Sequence, residues 1–187
     1  TSIIHEFKAV FENAAIEKVG QNIKYDALIL KAYQVELAGA LFDTMIVHYL
    51  LEPELRHNMD YLAETYLKYQ PVKIETLIGK KGKNQLTMRD VAVEKVVDYA
   101  SEDADITLQL KEHFAPELKE EGLEELYQTI EAPLVSALVD LEYEGVNIDA
   151  AYLNEYAKEL GELIKEFEEK IYEKADVKFN IAAPKQV

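Results

Sequence analysis

The chain has 187 residues, no cysteine, and a formal net charge of -16 from 36 acidic against 20 basic residues. Disulfides and thiolate zinc sites are therefore excluded, and the charge argues against a broad electrostatic surface for nucleic acid; any such contact must be local or supported by segments outside this chain. No apolar run approaches the roughly 18 residues of a membrane span, and no signal peptide is read at the start. The chain opens at Thr1, without a methionine, and runs straight into helical pattern, as an excised piece would. The length suits one domain or parts of two.

In chain order, Ile3, Phe7, Val10 and Phe11 share one stripe, which predicts a short helix over Ile3–Asn13. Ile16–Gly20 reads as a short strand ending at its glycine. Asn22 is the predicted N-cap of a helix carrying Tyr25, Ile29 and Tyr33. Leu37–Thr44 reads as a second short strand entering a helix over Thr44–Leu51, which stops before Pro53. Asn58 or Asp60 begins the next helix, and Pro71 ends it. Gly79-Lys80-Lys81-Gly82-Lys83-Asn84 is the one compact basic loop. Then follows a helix over the stretch Asp98–Leu110, where Val96, Tyr99, Asp103, Ile106 and Leu110 fall on one face. Two short strands among many helices imply a mainly α chain with a small α/β element.

The composition shifts around Pro116–Gly122, and the predicted domain boundary is Gly122, giving 1–122 and 123–187. Beyond it, Leu123–Glu142 is helical, with Pro133 beginning or kinking a segment. Tyr143–Asp149 reads as a turn and a short extended piece. Ala150–Ala175 is the most regular helix, with an apolar seam at Leu153, Ala157, Leu160, Ile164, Phe167 and Ile171. Core packing in a larger domain or a partner helix would both explain that seam.

Chemistry concentrates in two places. Asn22 and Asp26 are four residues apart in Gln21-Asn22-Ile23-Lys24-Tyr25-Asp26, and Tyr99 and Asp103 repeat that spacing. Asp103 sits where its stripe asks for an apolar residue. A buried carboxylate there needs a partner or a metal, whereas a solvated acid beside Asp98, Glu102 and Asp105 needs neither. Two aspartates on different helices, one with a tyrosine a turn before it, can converge on a hard divalent cation such as Mg2+. Paired ions of that kind activate a water and stabilise a departing oxygen in phosphoryl chemistry. The other candidates are weaker. His5, His48, His57 and His113 lie in separate segments without ligand spacing. Ser101 lacks a histidine partner, and Tyr61, Tyr66 and Tyr69 read as packing residues.

Val19-Gly20-Gln21-Asn22-Ile23-Lys24-Tyr25-Asp26 resembles the second exonuclease motif of the bacterial family A DNA polymerases, the DNA polymerase I family. Tyr99-Ala100-Ser101-Glu102-Asp103-Ala104-Asp105 resembles the third motif in its tyrosine-containing version. Phe42-Asp43-Thr44-Met45, Met59–Glu64 and Gly82–Thr87 look like family landmarks in the right order. Ile130–Val135, Glu144–Asp149 and Phe179-Asn180-Ile181 resemble the start of the polymerase domain. The resemblance covers nearly the whole chain. It implies a ribonuclease H-like exonuclease fold, here truncated and lacking its first strands, followed by the first polymerase helices.

By that resemblance, Asp103 holds the metal associated with the attacking water, Tyr99 helps position that water, and Asp26 serves a second metal. Gln21, Asn22 and Tyr25 lie where the family contacts or supports the frayed 3′ end of a DNA strand. The implied cofactor is Mg2+ in a two-metal site, the implied partner is a single-stranded DNA 3′ end, and the implied compartment is the cytoplasm. The departure is in the family's first motif, Asp-x-Glu, which precedes the second. Only 21 residues precede Asn22, and none forms it; Asp140-Leu141-Glu142 lies on the wrong side of both motifs, in a helical pattern that splays its acids apart. The expectation is therefore half a site: a parent that synthesises DNA and proofreads it, and a chain inactive as a nuclease. The rivals are a non-catalytic spacer with an exonuclease-like fold and a helical interaction module built on the 153–171 seam. Lost neighbours for the two strands further imply either a rearranged amino-terminal region or self-association in concentrated solution.

Overall fold

The apolar stripe of Ile3–Asn13 does not form one helix. The chain breaks it at Phe7 into α1 (Ser2–Glu6) and α2 (Lys8–Phe11). Ile3 and Phe7 are more than half exposed, so no core holds the stripe straight. The computed structural model describes residues 2–183. Next come β1 (Lys18–Gly20), α3 (Ile23–Ala32), β2 (Leu41–Asp43) and α4 (Thr44–Leu51). The strands pair in parallel, with Lys18 opposite Leu41, Val19 opposite Phe42 and Gly20 opposite Asp43. Parallel neighbours need a crossover, and α3 supplies it.

After Pro53 the chain forms α5 (Met59–Leu62), which widens into a π-helical turn over Ala63–Leu67 and stops at left-handed Lys68. The stop thus precedes Pro71. A short α6 (Glu75–Ile78) and the basic loop lead to α7 (Val93–Glu120). This helix runs through Pro116, although the sequence pattern breaks there. The proline removes one N–H from the ladder, but fully buried Phe114 and nearly buried Leu118 straddle it and hold the helix to the core. Gly122, at φ +70°, ends α7: its N–H reaches the Lys119 carbonyl (3.1 Å) and the Leu123 N–H reaches that of Leu118 (3.0 Å). That double closure needs a residue at ease in the left-handed region. The predicted helix of Leu123–Glu142 becomes α8 (Glu124–Leu126), a π-helical turn over Tyr127–Glu131, and α9 (Ala132–Glu144) with Pro133 in its first turn. α10 (Ala150–Ala175) keeps its predicted bounds.

The chain is mostly helical, with one small two-stranded sheet among the described residues. It divides into two compact units, 1–145 and 146–187. In the first, Phe42, Val47, Leu62, Ala63, Ile106, Leu110, Phe114, Leu118 and Tyr127 form the main core. A second cluster joins Ile23 and Ala27 of α3 to Val135 and Val139 of α9. Asp140 pairs with Lys31 and Glu142 with Lys24, so the late acidic pair ties α9 to α3. In the second unit α10 buries none of its residues, and its seam from Leu153 to Ile171 is exposed. No helix among the described residues is long and apolar enough to cross a membrane.

Candidate active site

The two strands run in the same direction, so α3 and α4 leave side by side from their carboxyl ends. In open α/β sheets that rim is where ligands bind. Val19, Gly20, Gln21 and Asp26 from the rim, with Asp103, Ala104, Thr107 and Leu108 of α7, line one cleft of about 400 Å³, and Met59 completes the lining. The two aspartates, 77 positions apart in the chain (103 less 26), therefore share one cavity.

Their electrostatics are alike. Burial lifts the Asp26 carboxyl above its ordinary value, and the negative charge of Asp43 adds to the lift. Burial also lifts Asp103; a hydrogen bond from Tyr99 works against this, and the charges of Glu102 and Asp60 add to it. Tyr99 is half-buried, and burial followed by the Asp103 charge pushes its hydroxyl up to about 12. At neutral pH that hydroxyl keeps its proton and can donate it in a hydrogen bond. Tyr99 stands beside Asp103 rather than in the wall of the cleft.

The remaining predicted residues separate. The Gln21 side chain is bound to its surroundings: its amide donates to the His57 carbonyl (2.6 Å), and its oxygen accepts from the Thr44 hydroxyl. Asn22 is left-handed (φ 60°, ψ 48°) and makes no side-chain cap to α3. Tyr25 is 63% exposed and lines, with Phe11 and Ile23, an adjoining apolar groove that shares Val19, Gly20 and Asp26 with the cleft. The Lys80–Lys83 loop is exposed.

Three contributors to the neighbourhood carried little signal in the sequence. Asp43, 1% exposed, accepts backbone N–H bonds from Asn22 (3.0 Å), Ile23 (2.8 Å) and Met45 (2.9 Å). Its own N–H donates to the Tyr127 hydroxyl (2.7 Å), which in turn donates to the Leu41 carbonyl (3.1 Å). His57, far from His48 in pattern, meets it ring to ring, with Nδ1 atoms 2.7 Å apart. The same Asp43 side chain caps α4, and nothing in the sequence pointed to its reach across to α3.

The donor chemistry fits a hard cation. Carboxylates whose ionised forms are disfavoured by burial are the groups that a bound cation would relieve. Among the described residues no cluster of three or more His, Cys, Asp or Glu side chains gathers around one point, so the cleft offers two aspartates. Magnesium accepts such a set, completing its shell with water and substrate phosphate.

A family model described as 3′-5′ exonuclease matches residues 1–119. DNA polymerase I of Rhizobium leguminosarum is 36% identical over 181 residues, covering 96% of this chain and 18% of that protein. DNA polymerase I of Pseudomonas aeruginosa is 36% identical over 190 residues, covering 100% of the chain and 21% of the relative. The chain thus spans about a fifth of the length of these curated relatives. A solved structure, the POL domain of Pol1 from M. smegmatis in complex with DNA primer-template and dNTP, aligns with TM-score 0.78 at 20% identity, over 97% of this chain and 28% of that one. That likeness speaks for the fold. With the family model matched over most of its length and DNA polymerase I similarity along nearly all of it, this chain belongs to the 3′-5′ exonuclease family of the bacterial family A DNA polymerases.

Proposed function

We propose that the chain is a segment of a bacterial DNA polymerase I, with most of its proofreading exonuclease domain in residues 1–122 and the start of its polymerase domain in 123–187. The exonuclease part is a ribonuclease H-like fold without its first strands. The convergence of Asp26 and Asp103 on one cleft at the carboxyl ends of the strands carries this reading. The reaction of the parent is hydrolysis of the terminal phosphodiester of a single-stranded 3′ end. Water attacks phosphorus, the bond to the preceding sugar's 3′ oxygen breaks, and that oxygen takes a proton as the nucleotide monophosphate leaves.

The residues divide the work. Asp103 and Asp26 would hold the metal, and Mg2+ bound there would lower the pKa of a water and offset charge on the departing oxygen. Tyr99, protonated at neutral pH and hydrogen-bonded to Asp103 beside the cleft, would help position that water. Tyr25, with its ring exposed, suits stacking against an unpaired base, which a duplex would not present. Asn22 supports the strand end beside it. Gln21, engaged by Thr44 and His57, supports the floor of the cleft.

The chain itself is expected to be inactive, because no Asp-x-Glu precedes Asn22 to complete the ligand set. Incubated with 3′-labelled single-stranded DNA and Mg2+, it should release no more nucleotide than its Asp103→Ala variant. Robust release that Asp103→Ala abolishes would overturn the inactivity. The rival reading is a non-catalytic spacer with an exonuclease-like fold. Sequence of the gene upstream of Thr1 separates the two: an Asp-x-Glu strand there supports the proofreading parent, and its absence supports the spacer.

A further inference from the structure

We propose that Asp43 is a positioning residue, whose carboxylate clamps the first turn of α3 so that Asp26 is held facing the cleft it shares with Asp103. The proposal rests on the metal-binding reading of that cleft. Its starting point is a missing cap. Helix N-termini leave N–H groups without intrahelical partners, and the residue before the helix usually satisfies one of them. Asn22 occupies that place but is turned into the left-handed region and caps nothing with its side chain. The free N–H groups of Asn22 and Ile23 go instead to the two oxygens of Asp43, at 3.0 and 2.8 Å.

The same carboxylate is the N-cap of α4, where one oxygen accepts from Met45 at 2.9 Å. One buried anion therefore joins the N-termini of two helices, where both macrodipoles favour negative charge. The pairing of Gly20 with Asp43 fixes the anchor: the last residue of β1 lies opposite the residue that makes the clamp. Asp26 is three residues beyond Ile23, inside the clamped turn. If α3 loses these bonds, its first turn frays or rotates and the Asp26 carboxylate moves with it. Asp103 is on α7, which the clamp does not touch.

Asp43→Ser separates the two tasks. Serine caps α4 well but is too short to reach α3 as well. The readouts are amide hydrogen exchange by NMR and line broadening by Mn2+, added alone, in the full chain. In the unsubstituted chain, Mn2+ should broaden signals from both walls, Gly20–Asp26 and Asp103–Thr107. In Asp43→Ser, Met45 should stay protected, Asn22 and Ile23 should lose protection, and the Mn2+ needed to broaden the Gly20–Asp26 wall should rise about tenfold. Unchanged Mn2+ dependence in the variant would reduce Asp43 to an ordinary cap and overturn the proposal. Absence of Mn2+ broadening in the unsubstituted chain is a different failure: it removes the metal reading of the cleft, and the positioning role with it. Should Asp43→Ser not fold, Asp43→Asn keeps the size and one acceptor oxygen, and the proposal then requires partial retention of Mn2+ binding, between the unsubstituted chain and none.

Discussion

His48 shows how much a single buried side chain can hide. It is fully buried, with Nδ1 2.7 Å from His57 Nδ1 and Nε2 2.8 Å from the Tyr66 hydroxyl. Burial, and secondarily His57, lowers its pKa to about 4. An unfolded histidine titrates near 6.5, so between these values the unfolded chain takes up a proton that the folded chain refuses. The contribution to stability is complete above pH 6.5 and is lost as pH falls toward 4; for this shift it amounts to about 3 kcal/mol. Asp26, Asp43 and Asp103 act in the opposite sense, since their folded values are raised and their protonated forms favour the fold. His48→Gln isolates the histidine. Denaturant midpoints taken from pH 7 down to 4 should fall less steeply in the variant than in the unsubstituted chain, and parallel curves would show that His48 is not the titrating group. At this scale the sequence was partly legible: it marked Asp26 and Asp103 as acids on different helices that could converge, and both line one cleft. The His48–His57 meeting and the second reach of Asp43 depend on side chains brought together by folding, and no local pattern encodes them.

Elements were legible where a cap or a breaker marked the ends. α4 matches its predicted bounds, Thr44–Leu51, with Pro53 beyond it marking the stop, and the structure shows Asp43 as its cap. α10 was read equally well, with Asp149 capping it through the Tyr152 N–H (2.9 Å). Failures came where tertiary packing overruled local propensity. The stripe of Ile3–Asn13 had nothing to pack on and broke, while α7 passed Pro116 because residues on both sides of it are buried. The π-helical turns at Ala63–Leu67 and Tyr127–Glu131 leave no periodicity a short window can detect. Gly161 lies inside α10, and a Cβ added there would meet no heavy atom within 4 Å. With no steric cost, Gly161→Ala should stabilise α10 by about 1 kcal/mol through reduced backbone entropy of the unfolded state. Circular dichroism at 222 nm through a thermal melt measures it: the variant should hold helicity to higher temperature, and a lower midpoint would mean that the glycine serves a contact.

At the scale of the whole molecule, exposed apolar surface sets the expectation. The sheet has two strands, and in a parallel sheet each edge presents unpaired backbone donors and acceptors. Tyr25 and Ile29 stand exposed along the groove beside β1, and in the other unit Leu153, Leu160, Ile164, Phe167 and Ile171 repeat along one side of α10 without cover. The net charge of -16 opposes association at low salt by repulsion, and salt screens that repulsion while leaving apolar attraction intact. Self-association should therefore strengthen with both protein concentration and ionic strength, the reverse of an association held by ion pairs. Sedimentation velocity over about a tenfold concentration range, at low salt and at about 0.15 M where the Debye length is near 8 Å, provides the measurement. A weight-average sedimentation coefficient that climbs along both axes is expected, and a single monomeric boundary throughout would refute it. Ile164→Lys, placing a charge in the α10 seam, and Ile29→Lys, placing one in the groove beside β1, assign the surface: whichever substitution flattens the concentration dependence identifies the face that associates.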